Sequence, residues 1–311
     1  MVLILSEKND ISTIEVINWL RFFKIPYLKI TKEDKIKIKW IFDDVVFIKN
    51  NESYNLSEFK SYWYRRGYIN QQKDDSVFKN HFEELIDLEE KKLREYLYYR
   101  LSKLKKINSI QRSDVNKLII SSIAREIGVL TPDDFIIDSK EELEKLLNEK
   151  EKISTKSISG HAINVFGNLC TFYYTSIIDK KDLKKYSNSF FPSLFQTYIE
   201  KKYELRVFYL NDKFYSMAIF SQEDPQTIVD FRNYNRIKPN RTVPYKLPES
   251  IALKLMKLMK KININCGSID IIVTKENNYV FLEMNPVGQF GMVSKPCNYN
   301  IEKIIAEELM F

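Results

Sequence analysis

The sequence predicts a mixed fold, α/β at its N-terminal end and α+β beyond it. Three observations carry this reading. Residues 1–50 alternate apolar strand-like runs with one helical stretch, the order of a small open α/β sheet. Residues 78–106 lack Gly and Pro and space their apolar residues mostly three or four apart, as a long helix does. From Phe190 onward, short alternating or apolar runs are separated by Asn-rich turns, which is a hairpin pattern.

Taken in order, Val2 to Leu5 form the first strand. Ser12 or Thr13 caps a helix running to about Phe23, with Ile14, Ile17, Trp19 and Leu20 as its apolar stripe and Pro26 beyond its end. Tyr27 to Ile30 and Val45 to Ile48 follow as strands. In the long helix, Phe78, Phe82, Leu85, Ile86, Leu93, Leu97, Leu101 and Leu104 make a stripe that reads as core packing, with a partner-binding face as the alternative. Ser113 or Asp114 begins another helix that ends at Gly128, a residue suited to the C-terminal cap. Residues 141–149 make a short charged helix, and Lys152 to Ser157 a strand. Tyr203 to Tyr209, Phe214 to Phe220, Ile269 to Val273 and Tyr279 to Leu282 read as strands. Asn211-Asp212 and Asn277-Asn278 supply hairpin turns, and Ser250 to Lys260 is a helix between the hairpins.

Composition narrows the class. A hydrophobic content of 44% in 311 residues supports a substantial core, and 14% aromatics argue against disorder. The apolar start stops after five residues and meets Glu7 and Asp10, so it reads as a buried strand and not as a signal peptide. No run reaches the roughly 20 apolar residues of a membrane span. Cys170, Cys266 and Cys297 are odd in number and far apart, and His81 and His161 lie near no Cys pair. A disulfide framework and a zinc site are both disfavoured, and a cytoplasmic setting fits. The formal charge of +7 suits anionic ligands, or is simply a Lys-rich surface. The Lys runs at 35–39 and 102–106 lack the pattern of a nucleic-acid module.

The chemistry concentrates in the last third. Asp270 and Glu283 lie on successive strands joined by the Asn277-Asn278 turn, which can set them side by side. Two facing carboxylates repel unless a cation lies between them. Magnesium takes hard oxygen ligands and is commonly shared with phosphates. Asn285, two residues on, faces the same side and adds a carbonyl oxygen. A surface strand edge is the plain alternative. Gln196 to Arg206 runs from an extended piece into a strand with Glu204 and Arg206 on one face. Extended backbone can bond the edge of adenine, a carboxylate can accept ribose hydroxyls, and Arg can grip phosphate or carboxylate bidentately. An ordinary cross-strand charge pair is the commoner origin of Glu-x-Arg. Asp230-Phe231-Arg232 and Arg241 stand in a long Pro-bearing stretch, where Arg binds a substrate carboxylate or is merely solvated.

In this order the pieces resemble the ATP-grasp superfamily over residues 113–290. They are Asn116-Lys117-Leu118 opening a helix, Lys156 after a strand, the 196–204 segment, then Asp270 and Glu283-x-Asn285. The resemblance implies an ATP-grasp fold preceded by a small α/β domain, the pre-ATP-grasp domain. The expected divisions are 1–112, a central lobe over 113–190 and a C-terminal lobe over 191–311. It implies that Lys117 and Lys156 touch ATP phosphates, that Gln196, Tyr198 and Ile199 form the adenine hinge, and that Glu204 accepts the ribose. Asp270, Glu283 and Asn285 would hold magnesium, two ions in all. Arg206 and Arg232 would sit at the transferred phosphate and the substrate carboxylate with Lys156 and Arg241. Trp63-Tyr64-Arg65-Arg66-Gly67 and Asn285 to Ser294, with Cys297-Asn298-Tyr299-Asn300, resemble the graspetide maturases, which include the microviridin ligases. One departure is the lack of a Gly-rich lid: Ser157-Ile158-Ser159-Gly160 has one Gly.

That resemblance implies an ADP-forming ligase. It would activate Glu or Asp side chains of a ribosomal precursor peptide as acyl phosphates and join them to Ser or Thr hydroxyls or Lys amines. A homodimer is left open; nucleic acid and membrane are not expected partners. Two alternatives stand beside it: a ligase adding an amino acid to a protein tail or small acid, and a nucleotide-binding module without catalysis.

Overall fold

The structure is a computed structural model. It describes residues 1–42, 44–72, 83–159, 163–166, 169–172, 174–233 and 235–310. The chain divides into two compact units: residues 1–114 with 289–295 and 299–311, and residues 115–288 with 296–298.

The first unit begins as the sequence foretells. β1 (Val2–Leu5) is followed by α1 (Ile11–Phe22) and β2 (Tyr27–Ile30). Asp10, and not Ser12 or Thr13, caps α1: its carboxylate accepts from Thr13 N. Then come β3 (Lys35–Ile41), β4 (Asp44–Lys49), β5 (Glu52–Asn55), β6 (Ser61–Tyr64), β7 (Asn70–Gln71), α2 (Glu83–Leu101) and β8 (Lys105–Ile107). Strands β2-β1-β6-β8 make one parallel sheet, and β5-β4-β3-β7 a second, mixed sheet in which only β3 and β7 are parallel. The lysine run at 35–39 is therefore a strand whose alternate residues point outward, Ile36 being buried and Lys35 and Lys37 exposed. β6 contributes buried Tyr62 and Trp63, and the amides of Arg65 and Arg66 both donate to Leu5 O. Gly67 turns the chain with φ +77°, which a side chain would strain.

Of the six described residues of the stripe expected in the long helix, two are core. Leu97 and Leu101 are buried, whereas Leu85 and Leu93 are exposed. Phe78 and Phe82 lie outside the described residues, as do His81, Gly160 and His161.

The second unit starts with α3 (Lys117–Glu126). Asn116 caps it by accepting from Leu118 N and Ile119 N, and Gly128 closes it with φ +75°. The cap falls at Asn116 instead of Ser113 or Asp114. β9 (Asp134–Ser139), α4 (Lys140–Glu149), β10 (Ile153–Thr155), β11 (Ile163–Phe166), β12 (Leu169–Phe172), β13 (Ser176–Ile178) and β14 (Ser189–Thr197) follow. Four of these form an antiparallel sheet in the order β13-β10-β14-β9. The remaining strands are β15 (Tyr203–Leu210), β16 (Lys213–Phe220), β17 (Arg241–Tyr245), β18 (Cys266–Val273) and β19 (Tyr279–Asn285), with α5 (Glu249–Lys261) between β17 and β18. They make a five-stranded sheet, β17-β16-β15-β18-β19. Asn211-Asp212 is the expected two-residue turn, both residues at positive φ. The β18–β19 connection is longer than expected: residues 274–278 form the loop, with only Asn277 at positive φ.

One face of the five-stranded sheet packs on α3 and α5. Leu205, Val207, Tyr209, Ile269, Ile271 and Phe281 are buried there with Ile120, Ala124, Leu255 and Leu258. Each is separated from the next on its strand by one residue of the opposite face. The helices thus cover one side of the sheet, and Glu204 and Arg206 of β15 and Asp270 of β18 stand on the other. After β19 the chain continues into α6 (Gly291–Cys297) and α7 (Ile301–Met310). In the first unit, Glu302 of α7 accepts from Ser294 Oγ at 2.5 Å, and Ser294 Oγ accepts from Ile301 N. No helix among the described residues is long and apolar enough to cross a membrane.

Candidate active site

The polar face of the five-stranded sheet places Arg206, Asp270 and Glu283 in one row, since β15 pairs Arg206 with Asp270 and β19 pairs Glu283 with Asp270. The row is interrupted in a useful way. The register shifts between Asp270 and Ile271, so Leu282 is an extra residue on β19. Such a bulge re-aims side chains. Phe281 and Met284 both enter the core, while Leu282 and Glu283 both line the cleft on the other face.

Arg206 grips Asp270 with Nη1 at 2.7 and 2.6 Å from the two carboxylate oxygens. Glu283 lies 2.9 Å from Lys117 Nζ and 3.8 Å from Lys156 Nζ. Lys156 also donates to Leu282 O at 3.3 Å, and Lys117 to Ser157 O at 3.5 Å. The two carboxylates titrate apart. Burial pushes Asp270 above the usual carboxylate range, against Arg206 and with help from Glu283. Burial also acts upward on Glu283, but Lys156 and Lys117 outweigh it and hold that carboxyl below its usual value. Burial lowers the Lys156 ammonium, opposed by Glu283. This is a dense set of opposite charges on one wall of a cleft.

Asn285 is exposed at the end of β19, where its Oδ1 accepts from Val287 N at 3.0 Å. An amide oxygen has a second lone pair, so that bond leaves an acceptor position. Among the described residues, no three His, Cys, Asp or Glu side chains cluster as metal ligands. An ion here would therefore be shared by Asp270, Glu283, Asn285 and phosphate oxygens, the usual manner for magnesium. The donor chemistry fits. Close packing supports the turn after Asn285: a Cβ on Gly288 would stand 2.4 Å from Ser268 Cβ and 3.0 Å from Asn285 O. Gly288→Ala is expected to displace that turn, destabilise the chain by about 1–3 kcal/mol and weaken magnesium-dependent nucleotide binding. Thermal melts and titration with and without magnesium check this.

The cleft extends to the end of β14. Gln196, Thr197, Tyr198 and Ile199 line it, and residues 198–202 have no regular structure. Gln196 is buried, and its Nε2 donates to Asp134 Oδ1 at 2.6 Å. Glu204 is buried too. It forms an ion pair with Lys201 and accepts from Ser221 Oγ at 2.9 Å. Burial raises its carboxyl despite both partners. Across the cleft, Asp230 holds Arg232: the Nε and Nη2 groups donate at 2.8 and 2.6 Å, and Asp230 also accepts from Arg232 N and Thr175 N. Asp230 in turn raises the Arg232 guanidinium, an effect stronger than burial, and Glu283 and Asp270 add to it. Arg232 thus faces the carboxylate pair.

Of the residues singled out from the sequence, Lys156, Gln196, Tyr198, Ile199, Glu204, Arg232, Asp270 and Glu283 line one cleft. Lys117 joins them through Glu283, and Arg206 through Asp270. Arg241 is not brought there; it begins β17 at the sheet edge, with its guanidinium 5.2 Å from the Phe220 ring centroid. Asp134, Lys201 and Ser221 escaped the sequence reading. Asp134 and Ser221 act through partners elsewhere in the chain, 62 and 17 residues away, whereas Lys201 stands only three residues before its partner Glu204.

No family model and no curated protein matches the sequence. Solved structures do. The macrocyclase MdnC bound with precursor peptide MdnA, from Microcystis aeruginosa MRC, is similar over 99% of this chain and 98% of its own, with 26% identity and a TM-score of 0.78. A RiPP-associated ATP-grasp ligase from Chryseobacterium gregarium, in complex with ADP and a leader and core peptide, matches over 99% and 94% with 20% identity and a TM-score of 0.77. The ATP-grasp ligase PsnB, complexed with minimal precursor, Mg and ADP, matches over 99% and 97% with 14% identity and a TM-score of 0.72. The chain has the ATP-grasp fold, in the whole-length form built by the graspetide maturases.

Proposed function

We propose that this chain is an ATP-dependent, ADP-forming peptide ligase acting in the cytoplasm on a ribosomally made precursor peptide. It activates Glu or Asp side chains of that peptide and joins them to Ser or Thr hydroxyls as esters or to Lys amines as amides. The observation that carries the reading is the row Arg206–Asp270–Glu283, with Lys117 and Lys156 against Glu283, beside a cleft that Arg232, Gln196, Tyr198 and Ile199 also line. The expected lobes, 113–190 and 191–311, would hold the nucleotide, with the domain of residues 1–112 preceding them in the chain.

The chemistry sets the demands. A substrate carboxylate oxygen attacks the γ-phosphorus of ATP, the bond to the β-phosphate oxygen breaks, and ADP leaves. The resulting acyl phosphate is attacked by the hydroxyl or amine, which loses its proton as phosphate departs. Negative groups must approach one another, so catalysis is mainly countercharge and positioning. Two magnesium ions, held by Asp270, Glu283 and Asn285, would supply charge at the phosphate oxygens. Lys117 and Lys156 pair with Glu283 here and would pair with phosphate oxygens of the bound nucleotide. Arg232, fixed by Asp230, presents its remaining N–H groups to the substrate carboxylate or the transferred phosphoryl group. Gln196, Tyr198 and Ile199 take the adenine and Glu204 the ribose. Ser154 and Thr175 complete the polar lining of the cleft.

Arg232→Ala tests the substrate end. Peptide modification, followed by mass spectrometry as a loss of one water per bond, should fall about 100-fold or more, the scale of losing one charge-assisted contact in a transition state. Nucleotide affinity should change less than about threefold. Equal loss of both would refute the role given to Arg232.

A further inference from the structure

The antiparallel sheet β13-β10-β14-β9 carries a polar row of its own. β14 sets Gln196 opposite Ser154 of β10 on one side and opposite Asp134 of β9 on the other. Their neighbours Ile153, Phe195 and Phe135 belong to the apolar cluster beneath the sheet. Alternation therefore puts Ser154, Gln196 and Asp134 on the opposite face, where Ser154 and Gln196 line the cleft.

Asp134 sets the sense of the Gln196 amide. Its Oδ1 accepts from Gln196 Nε2 at 2.6 Å, and its Oδ2 accepts from Arg125 Nη1 at 2.8 Å. A carboxylate accepts and does not donate, so the amino end of the amide must face it. Arg125 Nη1 also lies 3.0 Å from Thr131 Oγ1 and 3.4 Å from Pro132 O, which ties residues 131–134 to α3. Asp133 adds a second clip: its carboxylate accepts from Thr197 Oγ1 at 3.1 Å, and its carbonyl oxygen from Thr197 N at 3.1 Å. The Gln196 side chain has little freedom to turn over. It is 4% exposed, and no group among the described residues donates to its Oε1.

We propose that Asp134, held by Arg125, is the residue that selects the nucleobase. It fixes Gln196 Oε1 as an acceptor toward position 6 of the purine, so that a 6-amino purine is taken and a 6-oxo purine refused. The inference rests on the adenine position proposed above. Asp134 and Arg125 are positioning residues, and Gln196 makes the contact. Adenine carries an amino donor at that position, whereas guanine carries an acceptor oxygen. Amide oxygen against the amino group makes a hydrogen bond. Against a carbonyl it leaves two acceptors facing each other, stripped of water. A Gln free to turn over would present its own amino end and serve either base. The carboxylate at 134 forbids that; an Asn there would not, because its amide both donates and accepts.

Titration calorimetry of the full chain with magnesium and ADP, IDP or purine riboside diphosphate tests this. The wild type should bind ADP about 10- to 100-fold more tightly than IDP, the scale of one well-formed base contact. Purine riboside diphosphate, with hydrogen at position 6, should fall between them. Asp134→Asn should bring ADP and IDP within about threefold of each other, and so should Gln196→Met, which removes the acceptor and keeps the length. Asp133→Asn, the same change one residue away, should keep the wild-type ratio. A merely structural role for Asp134 would weaken all three ligands alike and leave their ratio unmoved. Equal binding of ADP and IDP by the wild type, a folded Asp134→Asn chain that keeps the full preference, or an Asp133→Asn chain that loses it equally would each overturn the inference and leave the nucleotide site standing. A wild type that binds no ADP would refute the nucleotide site itself, and this inference with it.

Discussion

Glu283→Gln is expected to lower ATP turnover at least 1,000-fold while the chain stays folded. The substitution keeps the shape of the side chain and removes its charge. Three consequences follow from the geometry. The acceptor that would meet magnesium becomes a neutral amide of lower affinity. Lys117 and Lys156, held at 2.9 and 3.8 Å by the carboxylate, lose their shared partner and with it their placement. Asp270 loses the neighbour that raises it. A 1,000-fold loss corresponds to about 4 kcal/mol of transition-state stabilisation, a reasonable sum for removing one pole of a preorganised charge cluster. ADP release in the presence of an acidic precursor peptide measures the turnover, and a thermal melt within a few degrees of wild type confirms the fold. Undiminished turnover would refute the metal role of Glu283.

The second large effect concerns stability. Arg206→Met should destabilise the chain by about 3 kcal/mol, because Asp270 would remain in its low-dielectric site without its guanidinium partner. For a unit of this size that is roughly a 6–12 °C fall in melting temperature. The double replacement Arg206→Met with Asp270→Leu should recover most of it, since a buried ion pair exchanged for matched apolar groups is often neutral or stabilising. Differential scanning calorimetry in the presence of a chelator separates the two. A single variant as stable as wild type would show that the pair is solvated and not buried. The recovered double variant should nevertheless be inactive, which separates the stability of the row from its chemistry.

Arg206 illustrates how a residue found by pattern acquires a different first contact. From the sequence it shared a strand face with Glu204, which suggested an anion grip. In the structure its neighbour across the ladder is Asp270, and the guanidinium is already engaged. Its primary task is to hold Asp270 in place. Glu283 shows the complementary case. Its spacing to Asn285 told that both face one side, but not that a bulge at Leu282 turns Glu283 into the cleft while Phe281 and Met284 stay in the core. A bulge changes one register step and leaves no mark in an apolar pattern. Helix α2 was legible as a helix. Which of its apolar residues are covered was not, since the same three-and-four spacing serves a core face and a docking face.

The sequence by itself determined the alternation of strand and helix in residues 1–50, the strands that carry Glu204, Arg206, Asp270 and Glu283, and the resemblance to ATP-grasp ligases. These are local properties: side-chain period, cap and turn chemistry, and residue type at a fixed spacing. The tertiary structure alone decided which charges meet. Lys117 and Lys156 reach Glu283 from elements more than a hundred residues away in the chain, Thr175 and Ser221 bond Asp230 and Glu204, and Asp134 secures Gln196. Contacts of this kind depend on packing two sheets and their helices together, and no periodicity along the chain encodes which distant side chain will stand within 3 Å.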